Sequence, residues 1–485
     1  MRTLLTLLAA CAGLAVSGCG SDNGAAVDVV LIGDAGKAQS DDMPLEQAAA
    51  ILRAATHEGL VSFDAEGRIS PGLAESWIVT DDGLSYIFRL REMGDAEGEA
   101  ILASDVRKAL DERIARQDGQ ALGLDLGLIE AIHARTRRVI EVRLTQPVPE
   151  FLNLLAGPEL ALDTEGQPDA MRIEADGDAF SLLPPMVAAD NMTSPWLGAE
   201  ALEIRIDPPK QAVDLFQSGG AQILLGGGID ALPHVQKGGL LRGAIRLDPV
   251  LGLFGLGVAR HEVGFLSNPE NREAVAMAIN RGELIEPFNV GGWVPTTHIV
   301  PTALPDSRAP TDRRWSGLSM EERQNVARAR VQAWISANDA IPALTIDLPP
   351  GRGGDVLLAQ LQRDLAAIGL SLERAGEADE SDFWLIDEVA RYRMARWYLN
   401  RLNCSVTRAA CSEEGDAFVR AANTEADDAR RRALMAQAER LIEEAGGYIP
   451  LGPPIRFSLV RGSIDRFAVN PLGVHPLSQL ALDPT

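Results

Sequence analysis

The chain has 485 residues, 46% hydrophobic and 24% charged, a globular composition that excludes wholesale disorder, collagen-like repeats and a polytopic membrane protein. Such a length is about three typical domains, enough for at least two lobes. Lysine and arginine number 45 against 69 aspartates and glutamates, a formal charge of −24, which speaks against nucleic acid or an anionic membrane as partner.

Met1-Arg2-Thr3 is a short positive start, and Leu4 to Val16 is apolar except for Thr6. A bilayer span needs about twenty residues, so this run reads instead as the apolar part of a signal peptide. It ends in Val16-Ser17-Gly18-Cys19, small residues before a cysteine, as a lipoprotein signal peptidase requires. The expectation is a signal peptide over 1–18, a lipidated Cys19 and a polar tether over 19–26, with the membrane engaged only through the lipid. An ordinary secretory signal with an incidental cysteine is the alternative. Gly20 rather than aspartate follows Cys19, so one kind of inner-membrane retention signal is absent and the choice of membrane stays open. Of the four cysteines, Cys404 and Cys411 then remain. In an oxidising compartment they are expected to form a disulfide, stabilising by about 2–3 kcal/mol. No histidine or further cysteine lies near them for a metal site.

In chain order, Val27 to Ile32 reads as a buried strand and Pro44 to Ala55 as a helix. Asp81-Asp82-Gly83 reads as a hairpin turn between strands 76–79 and 84–90. Ser104-Asp105 reads as a cap before a helix from Val106. Residues 165–195 are rich in proline and polar residues and give no clear assignment. A strand at 202–206, a helix at 208–217 and a strand at 221–225 follow, and Gly226-Gly227-Gly228 comes directly after that strand. A second α/β unit begins near Leu251. Asn268-Pro269 caps a helix with a stripe of Ala274, Val275, Ala278, Ile279 and Ile285. Residues 301–320 read as a connection; strand 344–348, a glycine-rich turn, helix 356–368 and strand 370–373 come next. Thr424 with Asp427 resembles a capping box opening a helix that stops at Gly446-Gly447.

No GxSxG elbow, HExxH, Walker A or CxxC occurs, and the six histidines are scattered singly. Gly351-Arg352-Gly353-Gly354-Asp355 lacks dinucleotide spacing and reads as a tight turn. Gly226-Gly227-Gly228, at the end of a strand, either lets backbone approach a ligand or is a plain turn. Neither an enzyme nor a cofactor is expected.

Three stretches together resemble the family-5 extracellular solute-binding proteins, the dipeptide/oligopeptide-binding cluster of ATP-binding-cassette importers. The first joins His57-Glu58-Gly59-Leu60-Val61-Ser62-Phe63-Asp64 to Pro71-Gly72-Leu73-Ala74-Glu75-Ser76-Trp77 and Asp81 to Arg91. The second is Asn271 to Arg281, similar to the family's "R-x-A-hydrophobic-x-x-A-I-D-R" helix. The third is Tyr448-Ile449-Pro450-Leu451, followed by Phe467 to Gly473. The resemblance implies an α/β, two-lobed periplasmic-binding-protein-like fold with a hinge and a subdomain inserted in lobe I. Lobe I would take 27–250 with the insert at about 58–165, lobe II 251–460, and 461–485 would return to lobe I. It implies a monomer that captures a small-molecule or peptide ligand by lobe closure and passes it to an inner-membrane permease from the periplasmic side.

The sequence departs from the family after Asp382-Phe383-Trp384-Leu385-Ile386. Many peptide binders have an aspartate there for the peptide amine. Here the acidic positions have become Arg391, Met394 and Arg396, with Arg393 between them. The expected site therefore sets Arg391, Arg393 or Arg396 against an anionic group, with Trp384, Trp397 and Tyr398 as apolar walls. Surface ion pairs on an acidic protein are the competing explanation of these arginines. The family's "G-T-G-P-Y" segment is not recognisable in 165–195. The second functional reading is a binding-protein scaffold repurposed as an envelope sensor or interaction lipoprotein.

Overall fold

The computed structural model describes residues 26–93, 100–162, 170–176, 179–186, 194–235, 243–304, 306–307 and 313–482. The expected signal peptide, Cys19 and all of the tether but Ala26 lie outside them.

Two mixed sheets form the body. The larger has seven strands in the order Ile245–Leu247, Phe457–Val460, Ile223–Gly227, Val27–Ile32, Leu202–Asp207, Ala179–Leu183 and Arg172–Asp176. Val27–Ile32 runs parallel to both of its neighbours, Leu202–Asp207 and Ile223–Gly227, and its Val30 and Leu31 are wholly buried, as a central strand covered on both faces requires. The second sheet has five strands, in the order Ser371–Arg374, Ala343–Asp347, Phe383–Val389, Gly252–Val258 and Tyr448–Gly452. The glycines of Gly252–Val258 make room for rings: a Cβ on Gly257 would lie 2.3 Å from the Trp384 indole, and one on Gly255 2.6 Å from the Tyr448 ring.

A four-stranded antiparallel meander, Ala74–Val79, Ser85–Leu90, Val139–Leu144 and Ile129–Thr136, forms a third unit. The hairpin turns at Gly83, whose φ of 70° suits glycine. Helix Ala103–Ala115 buries Val106 and Leu110 in the same core as Phe88 and Ile140 of the meander. That core continues into Ile386, Tyr392, Trp397 and Tyr398, which follow or belong to the five-stranded sheet. The subdomain is thus inserted in the chain of one lobe and packed on the other.

The chain crosses between the two large sheets at 248–251 and again at 453–456. The crossings touch: Asp248 N donates to Arg456 O at 3.0 Å. The Asp248 carboxylate accepts from Asn470 N at 2.9 Å and meets His475 Nε2 at 3.0 Å. Two adjacent crossings make a hinge.

Several local expectations are corrected. Phe457–Val460 pairs with Ile223–Gly227, so the chain is back in the first lobe's sheet before residue 461. Gly226 and Gly227 belong to that strand rather than following it. Asp105 sits at the third helical position and accepts from Leu102 N. Asp427, not Thr424, caps helix Asp428–Ala445, accepting from Arg430 N. The stripe beginning at Ala274 is broken, since one helix ends at Ala278 and Ile285 ends another. Gly353 and Gly354 lie in the first turn of helix Arg352–Ala366 rather than in a turn before it, and residue 353 is glycine where a Cβ would be 2.3 Å from Ile229 O of the other lobe. Strands Arg172–Asp176 and Ala179–Leu183 occupy part of the unassigned stretch. Helix Met320–Asn338 escaped the periodicity reading because it buries only Ala327 and Val331; its one signal is the Ser319/Glu322 capping box.

Within helix Asp428–Ala445, Glu439 is buried and accepts from Val300 N at 3.0 Å. Burial, with Glu443 beside it, pushes its carboxyl up to about 7. The folded state therefore holds this proton at pH values where the unfolded chain has released it. The stability it contributes is full below the ordinary glutamate range and is lost as pH rises to about 7. Glu439→Gln keeps the oxygen for Val300 and is expected to stabilise the protein by about 1–3 kcal/mol at pH 8, with little effect near pH 4.5. Urea unfolding at the two pH values checks this.

Candidate functional site

The site expected from sequence lies just after strand Phe383–Val389, where 390–401 lies against the inserted subdomain. Arg391 Nη2 donates to Glu159 Oε1, and Asn153 Nδ2 donates to Arg391 O at 3.1 Å. Arg393 donates from Nε and Nη2 to Glu150 Oε1 at 2.9 and 2.6 Å, and its backbone N to Glu150 Oε2 at 2.7 Å. Bonding to Glu150 holds the Arg393 guanidinium above its usual range. Arg396 is 2% exposed and donates to the carbonyls of Leu124 and Asp125. All three arginines thus meet the subdomain, two through carboxylates and one through backbone.

The aromatic residues divide. Trp397 and Tyr398 are 1% and 0% exposed and pack edge to face at 4.9 Å, so they are core and not walls of an open cleft. Trp384 is half-buried, stacked under Arg408 at 4.0 Å.

Sequence reasoning missed the residue on which this segment converges. Asp125 ends up with no exposed side-chain surface. It accepts from Tyr392 Oη at 2.7 Å, Asn400 Nδ2 at 2.7 Å and Arg401 Nη1. Arg401 also stacks on Trp397 at 4.1 Å and faces Glu388 at 3.5 Å. Burial beside Asp125 lifts the Tyr392 hydroxyl well above its ordinary range, so it stays a donor. Asp125 stands in a short apolar run, Ala121 to Leu126. An aspartate there was the available signal.

The remaining expected site residues lie at the end of strand Ile223–Gly227. Gly226 has φ of 84°, and a Cβ on Gly227 would lie 2.5 Å from Phe457 O, so backbone shape and packing account for these two glycines. Gly228 leads to Asp230, whose carboxyl burial pushes upward. Asp387 and Arg456 act on the same carboxyl from the other lobe and the crossing. Arg456 is held by Asp387, Nη1 to Oδ1 at 2.7 Å and Nη2 to the carbonyl at 2.9 Å. Gly228, Asp230, Asp387 and Arg456 thus bring both lobes and a crossing together at the carboxyl end of a strand, where open α/β sheets hold ligands.

The disulfide joins Cys404 and Cys411, with Cα atoms 5.4 Å apart. The motif arginines of the second resembling stretch serve structure: Arg272 donates to Ala445 O, and the buried Arg281 to Pro450 O at 2.7 Å.

Residues 68–184 match the family model described as bacterial extracellular solute-binding proteins, family 5 middle. The probable deoxycholate-binding periplasmic protein YgiS of Escherichia coli K12 is 33% identical over 121 residues, 21% of this chain and 23% of that protein's length. Di/tripeptide-binding protein 2 of Pseudomonas aeruginosa UCBPP-PA14 is 23% identical over 489 residues, 86% of this chain and 87% of its own. The crystal structure of Haemophilus influenzae OppA in complex with the peptide RPPGFSPFR matches in fold with a TM-score of 0.78 at 16% identity, covering 94% of this chain and 99% of that one. Taken with the two sheets, the paired crossings and the subdomain, these similarities show a two-lobed periplasmic-binding-protein-like fold whose residues 68–184 match the middle region of the family-5 bacterial extracellular solute-binding proteins.

Proposed function

We propose that the protein is the solute-binding component of an ATP-binding-cassette importer. It captures a peptide-like or anionic small solute between its lobes and hands it to an inner-membrane permease, and it is held at the periplasmic face by a lipid on Cys19. The observation that carries this reading is the pair of touching crossings at 248–251 and 453–456. They are the only covalent links between the two large sheets among the described residues, so the lobes can swing and close on a solute. Such closure is a population shift, driven by contacts that exist only in the closed state. The names of a di/tripeptide-binding relative and of a peptide-bound structural neighbour support a peptide-like ligand here.

For an anionic ligand group, Arg391 and Arg393 are the candidates, with side chains 31% and 59% exposed. Arg396 is committed to carbonyls. The anion would take the place of Glu159 or Glu150, which carry the same charge and chemistry as a ligand carboxylate.

Purified protein starting at Ser21, denatured and analysed by mass spectrometry, is expected to release a peptide or an anionic metabolite. An empty protein whose melting temperature is unmoved by a library of peptides and organic acids would contradict the reading and favour the repurposed scaffold. With a ligand in hand, Arg391→Gln combined with Arg393→Gln is expected to weaken binding about tenfold or more. Stability should fall by no more than about 1 kcal/mol for the exposed Arg393 pair and by more for Arg391, whose partner Glu159 is buried. Titration calorimetry alongside thermal unfolding checks both halves, and unchanged affinity would remove the arginines from the site.

A further inference from the structure

On the seam between the subdomain and the second lobe, away from the crossings, lies a cavity of about 330 Å³, half open to solvent. This is within the range of sites for small ligands. Leu124 lines it from the subdomain; Cys404, Glu413, Asp416, Arg420 and Asn423 line it from the second lobe. Helix Glu413–Ala422 carries four of these residues or leads directly into them.

Asp416 is 3% exposed. Its Oδ2 accepts from Cys404 N at 2.9 Å, an amide held in place by the disulfide-closed loop. Among the described residues its Oδ1 is buried with no hydrogen-bond partner, and so is Oδ1 of Asn423, which lines the same cavity. A buried acceptor left unsatisfied costs about 1–3 kcal/mol, more when charged. Two of them lining one cavity are the complement of a donor-rich, positively charged group. Burial also pushes the Asp416 carboxyl upward, with Glu413 adding to the shift and the Cys404 amide, Arg420 and Arg260 opposing it without cancelling it.

We propose that this cavity is a second binding site, for the primary ammonium group of a small amine or amino acid. An ammonium brings three donors and no acceptor, so it satisfies Asp416 Oδ1 and Asn423 Oδ1 with one bond to spare for Glu413. When the ligand is an amino acid, its carboxylate meets the exposed Arg420. Leu124 is next to Asp125 in sequence, so an occupant braces the junction of subdomain and second lobe. The site is distinct from the cleft at the crossings, and its occupancy does not depend on what that cleft holds.

The test uses the chain from Ser21 with two probes, ethylammonium and L-alanine, read by titration calorimetry and thermal unfolding. Both probes are expected to bind saturably and to raise the melting temperature. Asp416→Asn, which keeps an oxygen for Cys404 N, should weaken both by about tenfold or more. Asn423→Leu should also weaken both, and it decides the matter if Asp416→Asn fails to fold. Arg420→Gln should weaken L-alanine and leave ethylammonium unchanged; equal loss of both would assign the site to amines alone and overturn the carboxylate contact. The proposal is overturned if neither probe binds saturably, or if both bind the Asp416→Asn and Asn423→Leu variants as they bind the parent, which would place them in the interlobe cleft.

Discussion

A carboxylate with no exposed surface dictates much of how this molecule is put together. Asp125 belongs to the subdomain, yet its three side-chain donors, Tyr392, Asn400 and Arg401, all come from the segment that follows a strand of the five-stranded sheet. A buried charge is costly unless it is paired and hydrogen-bonded, and removing a partner from such a group costs about 3–5 kcal/mol. The subdomain cannot leave the second lobe without exposing or orphaning that charge. Arg396 on the carbonyls beside it, and Glu150 and Glu159 on Arg393 and Arg391, lie along the same junction.

This arrangement gives the arginine-rich segment a structural meaning. Where an importer's binding protein would be expected to reserve charge for its solute, this chain pairs most of it internally. The pairs differ in depth, however. Arg401 and Arg396 are committed to the junction, while Arg391 and Arg393 sit at its partly exposed edge. Below them, Arg456 ties a crossing to Asp387 of the second lobe, and Asp248 ties the other crossing to Asn470 and His475 of the closing segment. The two large sheets are thus joined by a small number of identifiable bonds at the crossings and by one apolar cluster shared between them, while the subdomain junction is centred on a buried charge.

Local chemistry was legible in the sequence wherever it acts over a few residues. Gly83 turns a hairpin between two alternating runs, Asn268 and Pro269 start a helix, and Cys404 and Cys411 close a short loop. Even Asp427 was in view, misread only in that it caps the helix itself. The site was legible in composition but not in partnership. Arg391, Arg393 and Arg396 stood out as a basic segment, but the carboxylates of Arg391 and Arg393 and the carbonyls of Arg396 lie 232, 243 and about 272 residues earlier, a distance that no periodicity or spacing rule spans. Trp397 and Tyr398 show the same limit: an aromatic pair reads alike as pocket wall or as core until the facing surface is known. Helix Met320–Asn338 was hidden for the opposite reason, because a nearly all-polar helix lacks the apolar stripe by which helices are recognised.

The claim that a buried charge fixes the subdomain to the second lobe is tested most directly by a double-mutant cycle on Asp125 and Arg401, using Asp125→Asn and Arg401→Met and reading stability in urea. Each single change should cost about 3–5 kcal/mol, and the double change much less than their sum, because neither charge is then left alone. Additive losses of under about 1 kcal/mol each would contradict it, showing that the two groups reach water and that the junction is held by apolar contact alone.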